Sequence, residues 1–209
     1  MYNPQQFAET RADVLHAFIR EHPLGMLVTS GAAGLEASHV PMVLDAEAGV
    51  LRCHLARANP QWQAVASAPV LIVFRGPEHY ITPSWYPSKQ EHGKVVPTWN
   101  YVAVHVWGEA RTFETQEELL PHLKELTRQN ESAFAEPWAV EDAPESYIQA
   151  LTKAIVGVEI SIRRMEGKRK ASQNRPLGDR FGVIEGLESI GSAESLEMAQ
   201  IVKDSLPPE

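Results

Sequence analysis

Hydrophobic and polar residues alternate with period two in several segments of the chain, which is typical of β-strands. The longest such segment is VPTWNYVAVHVWG, residues 96–108. Successive side chains of a strand point to opposite faces. One face would carry Asn100, Val102, Val104 and Val106, and the other Trp99, Tyr101, Ala103, His105 and Trp107. The valine face is typical of a sheet core. The aromatic face needs a cover, which a helix, a second subunit or a flat ligand could provide.

The same pattern predicts about six strands. They are LGMLVTS, LEASHVPMVLD, VLRCHL, PVLIVFRG, the segment 96–113 and VGVEISIRRMEG. The first two would form a hairpin around the turn GAAG, and Pro41 marks an edge or a bulge because it cannot donate to a ladder. PVLIVFRG is apolar on both faces, which predicts a central strand. Because the strands follow one another without long helices between them, the fold class is mainly β, an antiparallel barrel or sandwich with peripheral helices.

Helical periodicity appears in TRADVLHAFIREHPLG, TQEELLPHLKELTRQNES and APESYIQALTKAIVG. The last ~35 residues predict two short helices broken at SIGS, a superficial helix-turn-helix. Its second helix would carry Glu194, Glu197 and Asp204, which DNA phosphates repel, so packing or a dimer contact is the better interpretation. Between strands, residues 77–97 predict a long irregular loop, which is typically functional or wrapped around a partner.

Composition, net charge and the lack of certain motifs argue against several classes of function: secreted, membrane-spanning, dinucleotide-binding and P-loop proteins. The chain has 209 residues, a net charge of −8 and a single cysteine, Cys53. No signal peptide, membrane-spanning stretch, dinucleotide-binding or P-loop motif is seen, which indicates a cytoplasmic protein without these nucleotide folds. The negative charge gives no global attraction for nucleic acid. RRMEGKRK, residues 163–170, is the one basic run, expected at a solvated strand end. No histidine spacing predicts a metal site, although His39 and His54 would lie on neighbouring strands.

HLARANPQW, residues 54–62, contains the strongest local candidate for a binding site. A strand ends near His54, and Asn59 followed by Pro60 is a favourable helix start. A helix N-terminus attracts anions, and the nearby Arg57 could add a forked donor for phosphate. The alternative is a capped surface helix with an exposed arginine.

Together with YITPSWY, VPTWNYVAVHVWG and EGKRKASQN, this segment resembles the PaiB-like family, whose members are labelled negative transcriptional regulators. The resemblance runs from the start of the chain to about Asn174. It implies an FMN-binding split β-barrel over residues 1–175, followed by a helical extension over 176–209. It also implies a homodimer with FMN in clefts at the subunit interface. The partner subunit would cover the aromatic face of residues 99–107. The loop with Trp85 and Tyr86 would close over the cleft.

The resemblance also nominates residues for the cofactor. Arg57, Asn59 and Gln61 would hold the phosphate, with His54 and Ala56 along the approach. Ser38 and His39 would pass along the flavin ring. The long strand would contribute Trp99, Asn100 and Tyr101. No catalytic residue and no metal ligand is nominated.

Three functions are compatible with these residues and with the resemblance. The first is a transcriptional or redox-responsive regulator, with Lys168, Arg169 and Lys170 as a patch for DNA or a protein partner. The second is an FMN-dependent oxidoreductase, either a flavin reductase or an enzyme similar to pyridoxamine-phosphate oxidases. The third is haem binding or degradation.

Overall fold

The computed structural model describes residues 1–31 and 34–207. Across these residues eight strands form one sheet. They are β1 (Ala8–Glu9), β2 (Leu24–Gly31), β3 (Gly34–Pro41), β4 (Val43–Asp45), β5 (Val50–Ala56), β6 (Val70–Ile81), β7 (Thr98–Phe113) and β8 (Ile155–Lys170). The hydrogen-bonded order is β3-β2-β6-β7-β8-β5-β4, and β1 pairs with β8. The pairs β1–β8, β2–β3, β2–β6, β4–β5 and β5–β8 are antiparallel.

The predicted fold class is therefore confirmed, with two more strands than the six expected. The strand predicted over residues 35–45 divides after Pro41, because the Met42 amide donates to the Pro23 carbonyl at 2.8 Å and leaves the ladder. The remainder becomes β4. The other addition, β1, has two residues, which is too short for any alternation to be visible. Pro41 ends a strand at one end of the sheet order, and β6 lies inside it, as predicted.

Six α-helices accompany the sheet in the described residues. They are α1 (Ala12–Glu21), α2 (Ser88–His92), α3 (Gln116–Glu131), α4 (Glu145–Thr152), α5 (Leu177–Ile190) and α6 (Ala193–Asp204). All helices predicted from periodicity are present, and the predicted break at SIGS is Gly191, whose φ of 72° ends α5. The predicted GAAG turn includes residues 32 and 33, which lie outside the described residues. None of these helices combines the length and apolar character needed to cross a membrane.

The chain divides into two compact units. The first unit contains Met1–Arg11, Arg75–Val104 and the described residues from Glu166 onward, and the second contains Ala12–Phe74 and His105–Met165. Strands β6, β7 and β8 each contribute residues to both units. The predicted boundary at residue 175 stays a prediction.

Alternation along the strands builds the core of the second unit. Its buried side chains include Leu27, Leu51, Cys53, Ile72, Phe74, Val106, Val158 and Ile160. The valine face predicted for β7 contributes Val106 here, and Val104 is equally buried in the first unit. Cys53 is fully buried on β5, and burial raises the pKa of its thiol to about 12.

In the first unit, helices α5 and α6 pack on the segment that follows β6. Ile81 and Tyr86 belong to one apolar cluster with Ala171, Val183, Ile184, Leu187, Met198, Ala199 and Val202. Trp85 lies against Gly182 and Gly186 of α5, so closely that a side-chain carbon at either position would overlap it. The packing role expected for the C-terminal pair is confirmed. The irregular loop expected over residues 77–97 is wrong in part, because β6 continues to Ile81 and Ser88–His92 is helical.

Candidate functional site

The strand-to-helix segment in the second unit begins where β5 ends, at Ala56. Asn59 caps a 3₁₀ helix, Pro60–Gln63, and its side-chain oxygen accepts from the Gln61 amide at 3.0 Å. The predicted helix start is thus confirmed. The helix has only four residues, however, so few aligned peptide dipoles add up at its N-terminus. The anion attraction expected from a full helix is therefore weaker here than the sequence predicted.

Arg57 is already held by protein acceptors. Its Nη1 donates to Glu114 at 2.7 Å, its Nε to the Lys153 carbonyl at 2.8 Å and its Nη2 to the Ile155 carbonyl at 3.1 Å. All three nitrogens of the guanidinium are engaged, and the charge is neutralised by a carboxylate. A phosphate contact by Arg57 stays a prediction, and it would require at least one of these bonds to be exchanged.

Gln61 is almost fully buried, with 1% of its surface exposed. Its Nε2 donates to the carbonyl of Leu27 at 3.0 Å, the hydroxyl of Thr29 at 3.1 Å and the carbonyl of Glu36 at 3.2 Å. Two amide hydrogens are thereby shared among three acceptors on β2 and β3. The side chain ties the short helix to the β2–β3 hairpin, which is a structural role that the sequence did not reveal.

The structure brings two of the nominated residues into direct contact. Asn59 Nδ2 donates to Ser38 Oγ at 3.0 Å, which joins the 3₁₀ helix to β3. His39 follows Ser38 and is exposed, as is Ala56 at the end of β5. Ser38 and Asn59 therefore form a fixed pair, while His39 and Ala56 have side chains open to solvent.

A histidine pair in the second unit was missed at the sequence level. His54 Nδ1 lies 3.1 Å from Nε2 of His122, and the Phe113 ring stands edge-on to His122 with centroids 6.0 Å apart. Burial, then the His54 ring and then the charge of Arg52 lower the pKa of His122 to about 4. Burial also lowers the pKa of His54. β3 and β5 are not hydrogen-bonded to each other, but residues of the two strands lie close together, as expected for the strands of His39 and His54. The ring that contacts His54 is nevertheless His122.

The sequence did contain a faint signal for His122. It stands three residues after Leu119 on α3, and both side chains are buried. Residues three apart share one face of a helix, so His122 belongs to the apolar stripe. A cleft of about 390 Å³ adjoins it, lined by Val43, Arg52, Arg111, Phe113, Glu118, Pro121, His122, Glu125 and Glu159. Arg111 pairs there with Glu118 and Glu159. Across the described residues no group of three or more His, Cys, Asp or Glu side chains is arranged to hold a metal ion.

In the first unit, the beginning of β7 exposes an aromatic ring. Trp99 is 53% exposed, and the Tyr80 ring stands edge-on to it with centroids 6.0 Å apart. Asn100 points the other way and is fully buried, where its Nδ2 donates to Ser172 Oγ at 2.9 Å. Tyr101 faces Lys168, whose ammonium lies 5.3 Å from the ring centroid. Of the three residues nominated here, Trp99 is exposed, Tyr101 half-buried and Asn100 internal.

The basic run at the end of β8 is split by strand alternation. Arg169 turns to α6, where it contacts Asp204 at 3.1 Å and the Ile201 carbonyl at 3.2 Å. Lys168 and Lys170 turn the opposite way. The expected solvated strand end is wrong in part. Arg163 and Arg164 are exposed, but Lys168 is only 8% exposed and its Nζ donates to the Tyr2 carbonyl at 3.0 Å.

Lys170 and Arg175 complete a group of positive charges with Lys168, which we call the cation cluster. Lys170 Nζ donates to the Thr98 hydroxyl and to the Trp99 carbonyl, the latter at 2.7 Å. The Arg175 guanidinium lies 4.7 Å from the centroid of the Tyr86 ring. Burial, followed by repulsion from Lys168 and Arg175, lowers the pKa of Lys170. The cluster combines cations and aromatic rings.

Comparison with known proteins identifies relatives along the whole chain. The family described as "Putative FMN-binding domain" matches residues 1–164. An uncharacterised protein of Emericella nidulans is 39% identical over 243 residues, covering 98% of this chain and 97% of the relative. The "Protease synthase and sporulation protein PAI 2" of Bacillus subtilis is 32% identical over 209 residues, covering 99% and 98%.

Solved structures share the fold at low sequence identity. The FAD and haem binding protein of Mycobacterium smegmatis aligns with a TM-score of 0.59 and 14% identity, covering 78% of this chain and 73% of that one. The "putative 5-nitroimidazole antibiotic resistance protein" of Bacteroides thetaiotaomicron aligns with a TM-score of 0.56 and 11% identity, covering 77% of this chain and 85% of that one. The fold class is that of the split-barrel proteins.

Proposed function

Because the chain belongs to the family described as "Putative FMN-binding domain", we propose that it binds FMN as a homodimer and serves as a regulatory flavoprotein. The match over residues 1–164 is the observation that carries the proposal. The relative from Bacillus subtilis, named for protease synthesis and sporulation, supports the regulatory part.

The residues present are suited to a flat, anionic ligand. Trp99 and Tyr80 expose aromatic surface in the first unit, on which a planar ring can stack. The cation cluster in the same unit offers positive charge for a phosphate. A bound flavin would supply redox chemistry, while these side chains would bind and orient it.

Regulation through another protein or a small molecule is a better match than direct contact with DNA. Arg169 is paired with Asp204, and Lys168 is buried, so two of the three residues proposed for a DNA patch are occupied within the chain. The net charge of −8 adds long-range repulsion from phosphates. The oxidoreductase and haem alternatives rest on likeness of fold, and no contact among the described residues favours them. The cytoplasmic location stays a prediction.

The first experiment is a titration of the purified protein with FMN, followed by absorption and by FMN fluorescence. We expect structured flavin bands, quenched fluorescence and one FMN per chain. Size-exclusion chromatography with light scattering should show a dimer. A parallel titration with haemin tests the haem alternative. Absence of FMN binding at micromolar protein, or a haem Soret band in its place, would overturn the proposal.

A further inference from the structure

Within the described part of the chain, the cation cluster lacks the negative partner that positive side chains normally have in a folded protein. Lys168, Lys170 and Arg175 contact carbonyl oxygens, a hydroxyl and ring faces. Among residues 1–31 and 34–207, none of the three forms an ion pair with a carboxylate. Arg169, between the two lysines, does form one, with Asp204. The chain has eight more acidic than basic residues, so a shortage of carboxylates does not explain the difference.

The arrangement is electrostatically costly without a counter-ion. Lys168 is buried, and moving an ammonium group out of water is unfavourable unless it is paired. Mutual repulsion raises the cost further, as the lowered pKa of Lys170 indicates. Charges that are close, partly desolvated and of one sign favour the binding of an anion, because the anion's charge offsets both the desolvation cost and the mutual repulsion.

The backbone holds the cluster in place before any ligand arrives. Ser172 has a φ of 63°, which is unusual for a residue with a side chain, and it is the one such non-glycine position in the described chain. Its hydroxyl is bonded to Asn100, and its carbonyl accepts from the Arg175 amide at 2.9 Å. Gln173 also accepts from the Ala171 amide at 2.7 Å. This turn brings Arg175 back beside Lys170, and such preorganisation reduces the entropy lost on binding.

The aromatic neighbours indicate what kind of anion is bound. Lys170 donates to the carbonyl of Trp99, whose ring is exposed and contacts Tyr80. We propose that Lys170 and Arg175 hold the phosphate of a flavin nucleotide whose ring system stacks near Trp99, and that Lys168 raises the local positive potential. This inference rests on the proposed function. It assigns the phosphate to the first unit instead of to Arg57.

The test compares FMN with riboflavin, which has the same ring system without the phosphate. Lys170→Gln removes the charge but keeps a donor for Thr98 and the Trp99 carbonyl. We expect the dissociation constant of FMN to rise about tenfold or more, as for loss of a charge-assisted hydrogen bond, and that of riboflavin to stay within twofold. Lys170→Arg should restore most of the FMN affinity. Lys94→Gln, at an exposed lysine of the same unit, is the matched control and should change neither.

The outcomes separate this inference from the proposed function. If the wild-type protein prefers FMN to riboflavin and Lys170→Gln keeps that preference, the phosphate lies elsewhere and the inference is wrong. If the wild-type protein binds no flavin, the proposed function fails, and inorganic phosphate becomes the probe. A rise in melting temperature with phosphate that is lost in Lys170→Gln would then support the anion site, and no rise would overturn it. Circular dichroism of each variant checks that the fold is intact.

Discussion

Two basic regions of this chain differ in how their positive charges are paired: the surroundings of Arg57 and the His54–His122 pair in the second unit, and the cation cluster in the first unit. In the second unit, Arg57 donates to a carboxylate and two carbonyls, and burial lowers the pKa of both His54 and His122, which contact each other. In the first unit, no carboxylate of the described residues pairs with the cation cluster, whose lysines donate to carbonyl oxygens instead. Charges that are paired within the chain have less to gain from a ligand, whereas nearby charges of one sign gain from a bound anion. The difference supports the proposal that the phosphate is held in the first unit.

The largest expected effect is a loss of folding stability when the pH is lowered, because His122 in the second unit then becomes a buried cation without an anionic partner among the described residues. The unfolded chain binds a proton at His122 below about pH 6.5, but burial delays this in the folded protein until about pH 4. Stability is therefore complete above pH 6.5 and falls as the pH is lowered toward 4. We expect a loss of up to about 3 kcal/mol in the free energy of unfolding.

Urea denaturation at pH 7.5 and pH 5.0 measures this effect, in a range where most carboxylates remain charged. The variant His122→Gln should lose clearly less stability between the two pH values. If wild type and variant respond equally to pH, the buried pair is not the cause, and the contrast between the two regions loses its main support.

A second, smaller effect is expected at Gln61. Gln61→Leu has a similar size but leaves the Leu27 and Glu36 carbonyls and the Thr29 hydroxyl without this donor. We expect the free energy of unfolding to fall by about 2 kcal/mol, with the FMN-to-riboflavin preference unchanged. Gln63→Leu, at an exposed glutamine of the same turn, should change stability by less than about 0.5 kcal/mol. If Gln61→Leu lost the preference for FMN over riboflavin but kept normal stability, Gln61 would instead be a phosphate-binding residue.

The smallest effect concerns the Arg57–Glu114 ion pair. Both side chains are more than a third exposed, so Arg57→Gln should cost at most about 1 kcal/mol. We expect its FMN affinity to stay within twofold of wild type. Glu114→Gln is the complementary variant, because it removes the carboxylate that neutralises Arg57 and leaves the guanidinium charge available to a phosphate. An FMN affinity that falls in Arg57→Gln and rises in Glu114→Gln would assign the phosphate to the second unit.

Local sequence patterns predicted the fold better than the site. Alternation in residues 98–108 separated Val106 from Trp99 correctly, because it reflects which face is buried. It could not show what each polar side chain would contact. Arg57 is held by groups 57, 96 and 98 residues away, and Lys168 by a carbonyl 166 residues away. Such contacts depend on strand order, which the sequence did not provide.

The position of Asn59 shows the same limit on a smaller scale. Its type and the following proline predicted a helix start, which the structure confirms. The length of that helix decides how strongly it attracts an anion, and the sequence gave no clear end for it. Burial of Lys168 was equally hidden, since a basic run normally indicates a solvated surface.

The single thiol of Cys53 has a practical consequence. Because it is fully buried on β5 and its pKa is raised to about 12, an alkylating reagent at pH 8 meets no thiolate in the folded protein. The labelling rate therefore reports how often and how long the second unit opens around Cys53, without an engineered probe. Mass spectrometry after timed exposure would measure the fraction of chains alkylated at Cys53, and hence the rate of labelling through local unfolding of the second unit.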